Sequence, residues 1–167
     1  NYVENWDPSG WDDIKVPSSI QTIKDADGNF KYEKPIYVNQ RYPWQNYENV
    51  SLGANVTAPT VNNSVGQYKR TFTVPSDWDG RDVFVSFEGV ESAFYLYVNG
   101  QRVGYGEDSY TTDEFNITSY LKKGENTIAV EVYRWSTGSY LENQDFIRMS
   151  GIFRDVNLYS KAKVEMR

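Results

Sequence analysis

The residues of this sequence that are best suited to chemistry are its carboxylates. Its 167 residues include no histidine and no cysteine, which excludes a Ser-His-Asp or Cys-His catalytic device and any metal site built on imidazole or thiolate within these residues. The candidate carboxylates are Glu88, Glu91, Glu107, Asp108, Glu142, Asp145 and Asp155. Any catalysis by these residues would therefore be carboxylate chemistry.

A pair of carboxyl groups could hydrolyse a glycosidic bond, with one as the acid and the other as nucleophile or base, about 5–9 Å apart. Most of the seven candidates adjoin turns or alternate outward on predicted strands, where a solvated charge is the ordinary state. We therefore expect the chain to bind a ligand rather than to cleave one, and we assign no catalytic residue within it.

Asp145 is the sharpest candidate for a binding residue. It follows two amide residues and lies between Tyr140 and Phe146, so a carboxylate stands among aromatic side chains. Such a group can accept hydrogen bonds from two sugar hydroxyls or contribute to an oxygen-ligated cation site. It could equally pair with Arg148 or order its own loop by accepting backbone N–H bonds, and the residue types leave these alternatives open.

Asn39 is a second candidate, in a short extended segment over 34–44. Two prolines flank the middle of this segment and keep the neighbouring residues out of the α region. Asn39 could reach a ligand, or it could satisfy hydrogen bonds of its own neighbours. Trp44 and Trp135 could stack on a sugar ring, but each could also belong to the core or to a contact with another domain.

The elements that must position these residues are β-strands. Apolar residues alternate over 68–74, 83–88, 127–133 and 152–159, and the run at 93–98 meets Asn99-Gly100, the strongest short hairpin signal. One turn of helix is expected over 115–121. With about eight strands and no long helical period, the pattern predicts an all-β fold, an antiparallel β-sandwich with jelly-roll character.

The connection over 134–156 is too long and too polar for a plain hairpin, and it contains Asp145. Long connections that leave a sheet, present polar groups at its rim and return are frequent places for binding sites. We therefore expect the functional residues of this chain to lie at that rim.

Composition restricts the partners. A formal net charge of −6 argues against nucleic acid, and no run of about 18 apolar residues exists for a membrane span. The 14 tyrosines and 5 tryptophans suit a sugar-binding surface, although many β-sheet proteins share this feature. The length fits one domain, and because the chain begins without Met and ends as though another strand were starting, we expect it to be part of a longer protein.

Residues 134–156 strongly resemble the sugar-binding domain at the front of the large β-galactosidases of glycoside hydrolase family 2, the lactose-operon type. The most specific phrases are Tyr140-Leu-Glu-x-Gln-Asp145 and Met149-Ser-Gly-Ile-Phe-Arg-Asp155. Three further phrases agree in order: Val16-Pro-Ser-x-x-Gln21, Pro35-Ile-Tyr-x-Asn-x-x-Tyr-Pro43, and Gly89-Val-x-Ser-Ala-Phe94 through Asn99-Gly to Gly104-Tyr-Gly-x-Asp-Ser109. Together the resemblance covers residues 11–159.

The resemblance implies a galactose-binding-domain-like jelly roll over residues 1–160, with 161–167 starting the connection to an immunoglobulin-like domain. The catalytic Glu pair would lie on a TIM barrel outside this sequence, so the fragment alone is expected to be inactive. Asn39 and Asp145 would contact galactose in a β-galactoside, and Asp145 would also help to coordinate sodium with ligands from the barrel. The parent enzyme would use sodium and magnesium, and neither ion is expected to bind tightly to this fragment.

Two other functions remain open at this point. The chain could be a free-standing carbohydrate-binding module, or the same domain from a β-glucuronidase or β-mannosidase relative. The phrases that contain Asn39 and Asp145 favour the galactosidase.

Overall fold

Antiparallel β-strands form the regular structure of the computed structural model, which describes Val3 and residues 5–44, 57–142 and 145–164. The strands are β1 (Ile36–Val38), β2 (Val65–Thr73), β3 (Asp82–Phe87), β4 (Val90–Glu91), β5 (Ala93–Val98), β6 (Gln101–Glu107), β7 (Asp113–Asn116), β8 (Glu125–Tyr133), β9 (Phe146–Arg148), β10 (Gly151–Ile152) and β11 (Val156–Lys161). The all-β prediction is confirmed: within these ranges the helical elements are 3₁₀ turns of three residues each.

The helical turn expected over 115–121 is wrong in its first half. Those residues belong to β7 as far as Asn116, and a 3₁₀ turn then covers Thr118–Tyr120. The described residues include no helix that is long and apolar enough to cross a bilayer.

Two sheets make the sandwich: a four-stranded sheet of order β2-β8-β5-β6 and a three-stranded sheet of order β11-β3-β7. Their facing sides are apolar because each strand alternates, and the rings of Phe87 and Phe94 meet between the sheets at 4.8 Å. The buried residues of this core are Val83, Val85, Phe87, Val90, Phe94, Leu96, Val98, Ile117, Val130, Val132 and Ile152.

The β5–β6 hairpin turns at the predicted Asn99-Gly100 pair. Both residues have positive φ, 48° and 76°, which is what the two central positions of a type I′ turn require. Asn99 also fastens the hairpin to the rest of the fold, since its Nδ2 donates to the carbonyl of Tyr120 at 2.8 Å and its Oδ1 accepts from the Thr127 N–H at 3.0 Å.

The 134–156 connection forms two small sheets at the rim of the sandwich. In one, β10 pairs with β4, so that Gly151 lies opposite Glu91. The outer side of β10 is covered by the N-terminal stretch, where the Ser18 N–H donates to the carbonyl of Ile152 at 2.9 Å. In the other, β9 pairs with β1. The prediction that this connection leaves the sandwich and returns to it is confirmed.

Candidate functional site

The two-stranded sheet of β1 and β9 brings the two predicted binding residues together. Its antiparallel register places Val38 opposite Phe146 and Tyr37 opposite Ile147. Asn39 is the residue after Val38, and Asp145 is the residue before Phe146, so both stand at the same end of this sheet. Both are exposed to solvent.

Tyr37 connects the two. Its hydroxyl donates to Asp145 Oδ1 at 2.6 Å, and the Asn39 side chain is close enough to act on the pKa of Tyr37. The bond to Asp145 raises the pKa of Tyr37, because a phenolate would lose it, while the Asn39 side chain acts in the opposite direction. The three polar groups therefore form one surface cluster, which we call the rim cluster: Tyr37, Asn39 and Asp145.

Sequence reasoning missed Tyr37 as a member of this site. The signal was available, because residues two apart on a strand point to the same face, so Tyr37 and Asn39 had to share one. A tyrosine side chain is also long enough to reach diagonally across an antiparallel pair, from its position opposite Ile147 to Asp145.

The rim cluster can hold a polar ligand at its open side. Tyr37 occupies one oxygen of Asp145, and no hydrogen bond from a described residue uses Oδ2, which could accept a hydroxyl proton or coordinate a cation. The Asn39 amide offers one donor group and one acceptor. Arg148, the alternative partner considered for Asp145, is buried, and its Nη1 donates to the carbonyl of Glu142.

A cation at Asp145 would need further ligands, since hard cations take about six oxygens. No cluster of three or more His, Cys, Asp or Glu side chains able to hold a metal occurs in the described part of the chain. A cation at Asp145 would therefore need ligands other than His, Cys, Asp and Glu side chains of the described residues.

Two buried charged groups, Arg148 of β9 and Glu91 of β4, interact electrostatically. Arg148 lies over the Phe146 ring at 4.3 Å, and its charge acts on Glu91 of β4, which is 9% exposed. Burial raises the pKa of Glu91 to about 7 against the opposing charges of Arg148 and Arg134. Burial also lowers the pKa of Arg148. The directions of both shifts show that desolvation outweighs the attraction between the two groups.

Two other candidate carboxylates anchor loops. Glu142 accepts from the N–H and the hydroxyl of Ser109 at 2.7 and 2.8 Å. Glu107 accepts from the Thr137 hydroxyl at 2.7 Å and the Gly138 N–H at 2.5 Å. Burial alone would raise the pKa of Glu107, but these hydrogen bonds lower it overall. Both groups are thus committed to holding the 134–156 connection in place.

Trp44 and Trp135 belong to the interior. They are 2% and 3% exposed, and their rings meet edge to face at 5.3 Å beside Tyr140. The alternative that they stack on a sugar ring is wrong, because neither offers a free face.

Comparison with known proteins adds three findings. The sequence profile of one family, "Glycosyl hydrolases family 2, sugar binding domain", matches residues 3–162. A β-galactosidase of Priestia megaterium is 57% identical over 156 residues, which are 93% of this chain and 14% of that protein. A β-galactosidase of Halalkalibacterium halodurans is 47% identical over 159 residues, 95% of this chain and 15% of that protein.

Solved structures agree on the fold. A calcium-binding mutant of β-glucuronidase 2 from Bacteroides uniformis superposes with a TM-score of 0.60 over 94% of this chain and 15% of its own, at 22% identity. A crystal structure of a β-glucuronidase from the same organism gives 0.56 over 60% of this chain and 12% of its own, at 31% identity. This chain spans 14–15% of the length of the two β-galactosidases named above.

Proposed function

We propose, because this chain belongs to the sugar-binding domain family of glycosyl hydrolase family 2, that it is the non-catalytic sugar-binding domain of a β-galactosidase. The relatives named β-galactosidase are 57% and 47% identical over nearly the whole chain. The β-glucuronidase structures are less similar in sequence, at 22% and 31% identity. The parent enzyme would hydrolyse terminal β-galactosides with a Glu pair on a barrel outside residues 1–167.

The observation that carries this proposal is the rim cluster. Residues from two distant phrases of the sequence stand at one end of the β1–β9 sheet, with Tyr37 bonded to Asp145 at 2.6 Å. Asp145 would accept a galactose hydroxyl through Oδ2, and Asn39 would contact the same sugar. Because both side chains are exposed here, the barrel would supply the remainder of the pocket and exclude water from it.

We extend the proposal to the ions. Asp145 would coordinate sodium together with ligands from the barrel, and the bound sodium would orient a sugar hydroxyl. Magnesium would bind outside this chain. Residues 1–160 would form the domain, and 161–167 would begin the connection to an immunoglobulin-like domain. The fragment alone would be inactive, so the purified 167-residue chain should release no nitrophenol from nitrophenyl β-galactoside.

The test of the site is Asp145→Asn in the full-length enzyme. A hydroxyl-binding carboxylate strengthens the positioning of the sugar in the transition state, so we expect kcat/KM to fall by about 10–100-fold. Asp77→Asn is the matched control, since Asp77 is exposed in the 3₁₀ turn after β2, and it should leave the rate unchanged. Equal kcat/KM for the enzyme and the Asp145 variant would refute the role of Asp145.

The second candidate is a free-standing carbohydrate-binding module, and the exposure of the rim cluster is the feature that could suit it. Calorimetry of the 167-residue chain with galactose and lactose separates the two. Millimolar or no binding supports a partial pocket, whereas clear binding at micromolar Kd supports the module.

A further inference from the structure

Asp145 lies in a segment of the chain whose two ends are bonded to each other. The guanidinium of Arg148 donates through Nη1 to the carbonyl of Glu142, and Asp145 is midway between these two residues in the sequence. Joining the ends of a short segment removes much of its conformational freedom. The bond between Arg148 and Glu142 therefore restricts the positions that Asp145 can take.

The Arg148 end of this segment is fixed by burial and by strand pairing. Arg148 lies opposite Ile36 in the β1–β9 sheet and is 3% exposed. Its guanidinium packs over the Phe146 ring at 4.3 Å. A long side chain that is buried and stacked in this way occupies one conformation, so its bond to the carbonyl of Glu142 has a defined direction.

The Glu142 end is fixed by Ser109. The N–H of Ser109 donates to Oε1 of Glu142 at 2.7 Å, and its hydroxyl donates to Oε2 at 2.8 Å. Two bonds to the two oxygens of a charged carboxylate set its plane as well as its position. Ser109 itself is 0% exposed and lies two residues after the end of β6, Gln101–Glu107. The four-stranded sheet therefore determines where Glu142 lies.

Glu107 holds an earlier part of the same connection. It accepts hydrogen bonds from Thr137 and Gly138, and both residues precede Glu142 in the chain. Of these two carboxylates, Glu142 is thus the one whose contacts bracket Asp145 on both sides of the sequence.

We propose that Ser109, Glu142 and Arg148 are positioning residues for Asp145. They hold the segment 142–148 at both ends, so that the Asp145 carboxylate meets the sugar in one place, and they do not touch the sugar themselves. Small errors in such a place are costly, since a displacement of about 1 Å lowers a rate by about 100-fold. The inference rests on the proposed function and adds the residues that make its binding group precise.

Glu142→Ala in the full-length enzyme is the first test. We expect kcat/KM for a β-galactoside to fall by about 10-fold, because the segment loses its attachment to Ser109. Glu142→Gln should stay within about 3-fold of the unchanged enzyme, since its amide oxygen can accept from the Ser109 N–H and its amide nitrogen can donate to the hydroxyl. No loss of kcat/KM in Glu142→Ala would overturn the proposal.

Glu88→Ala is the matched control. Glu88 is also a partly buried carboxylate that accepts two hydrogen bonds, from the hydroxyls of Ser86 at 2.7 Å and Thr112 at 3.0 Å. It belongs to the turn between β3 and β4, so its loss should leave kcat/KM unchanged. A loss in Glu88→Ala as large as that in Glu142→Ala would show a general effect of stability and would overturn the proposal.

A double-mutant cycle with Asp145→Asn separates positioning from a merely structural role. If Glu142 acts through Asp145, Glu142→Ala should cost less than about 2-fold in the Asp145→Asn background, because the group that it positions is already lost. The same 10-fold loss in both backgrounds would overturn the proposal. If Asp145→Asn alone had no effect, the proposed role of Asp145 would be wrong, so the two failures are distinguishable.

Ser109→Ala covers the case in which Glu142→Ala does not fold. It removes one hydroxyl and keeps the backbone N–H bond to Glu142, so we expect a smaller fall in kcat/KM, of about 3-fold. This fall should also disappear in the Asp145→Asn background. A fall that persists there, or no fall in the enzyme that retains Asp145, would overturn the proposal.

Discussion

Tyr37 is hydrogen-bonded to Asp145, the residue that would touch the sugar. Its contribution to activity can be measured separately from that of Asp145. Its hydroxyl holds one oxygen of Asp145 at 2.6 Å, which restricts the orientation of the carboxylate. Asn39 and Asp145 could be named from the sequence because their phrases resemble a known family. Tyr37 needed the register of β1 against β9, which sequence alone does not provide.

We expect Tyr37→Phe in the full-length enzyme to lower kcat/KM by about 5-fold. One exposed hydrogen bond to a carboxylate is worth about 1 kcal/mol, and 1.4 kcal/mol is a factor of ten. Tyr32→Phe is the matched control, since it removes a tyrosine hydroxyl that donates to Asp12 elsewhere on the surface, and it should leave the rate unchanged. A loss for Tyr32→Phe as large as that for Tyr37→Phe would argue against positioning by Tyr37.

Glu91 should make the stability of the domain depend on pH. Its pKa is about 7 in the folded chain against a usual value of 4.5, so between these values the folded state holds a proton that the unfolded state has lost. The stabilising contribution of Glu91 is therefore full below pH 4.5 and is lost as pH rises through 7, by up to about 3 kcal/mol.

Glu91→Gln removes the titration of Glu91, so we expect the variant to lose less of its free energy of unfolding between pH 5 and 8 than the unchanged chain. Asp113, whose pKa is raised to about 6, still titrates in both proteins. Urea unfolding of the chain and its variant, followed by tryptophan fluorescence, measures this difference. If the two proteins lose the same stability over that range, another group is responsible. The sequence names this carboxylate but could not reveal its burial, because β4 pairs with β10 from a distant part of the chain.

The long strands could be predicted from the sequence, whereas the short strands could not. The runs at 93–98 and 127–133 lie within β5 and β8, and the run at 68–74 lies in β2 as far as Thr73, since an apolar or alternating run of six or more residues is long enough to recognise. β1 has three residues and β4 two, which is too short for a period. These strands exist because distant partners pair with them, and they are the elements that build the rim.

Gly106 of β6 lies so close to Phe94 and Asp113 that a larger side chain there should lower the stability of the fold. A Cβ at Gly106 would lie 2.4 Å from Phe94 Cε1 and 2.5 Å from Asp113 Oδ2, so one ring and one carboxyl group would have to move. We expect Gly106→Ala to lower the free energy of unfolding by about 1–3 kcal/mol in urea titrations. Gly10→Ala is the control, because a Cβ there meets nothing within 4 Å, and a similar loss in both variants would disprove the packing argument.

The face that carries the rim cluster also exposes two large side chains with apolar surface. Ile147 is 52% exposed and Tyr37 63%, and they are opposite each other in the β1–β9 sheet. In the proposed enzyme this face would rest on the barrel.

We therefore expect Ile147→Asp to lower the melting temperature and the activity of the full-length enzyme. The same substitution in the 167-residue chain should change the free energy of unfolding by less than about 0.5 kcal/mol, since Ile147 contributes little to that chain's own core. Scanning calorimetry of both proteins makes the comparison. A loss of equal size in the short chain would show that Ile147 acts within the domain and not between domains.

The contact between Tyr37 and Asp145 joins positions 108 residues apart, and this separation has a consequence for synthesis. A ribosome would release Tyr37 and Asn39 long before Asp145 is made, so no nascent chain shorter than most of this domain can carry the rim cluster. Contacts of such long range also form late, after the cost of closing the loop has been met. Sugar affinity would thus appear only in molecules that have finished folding, and truncated products would compete neither for substrate nor for ions.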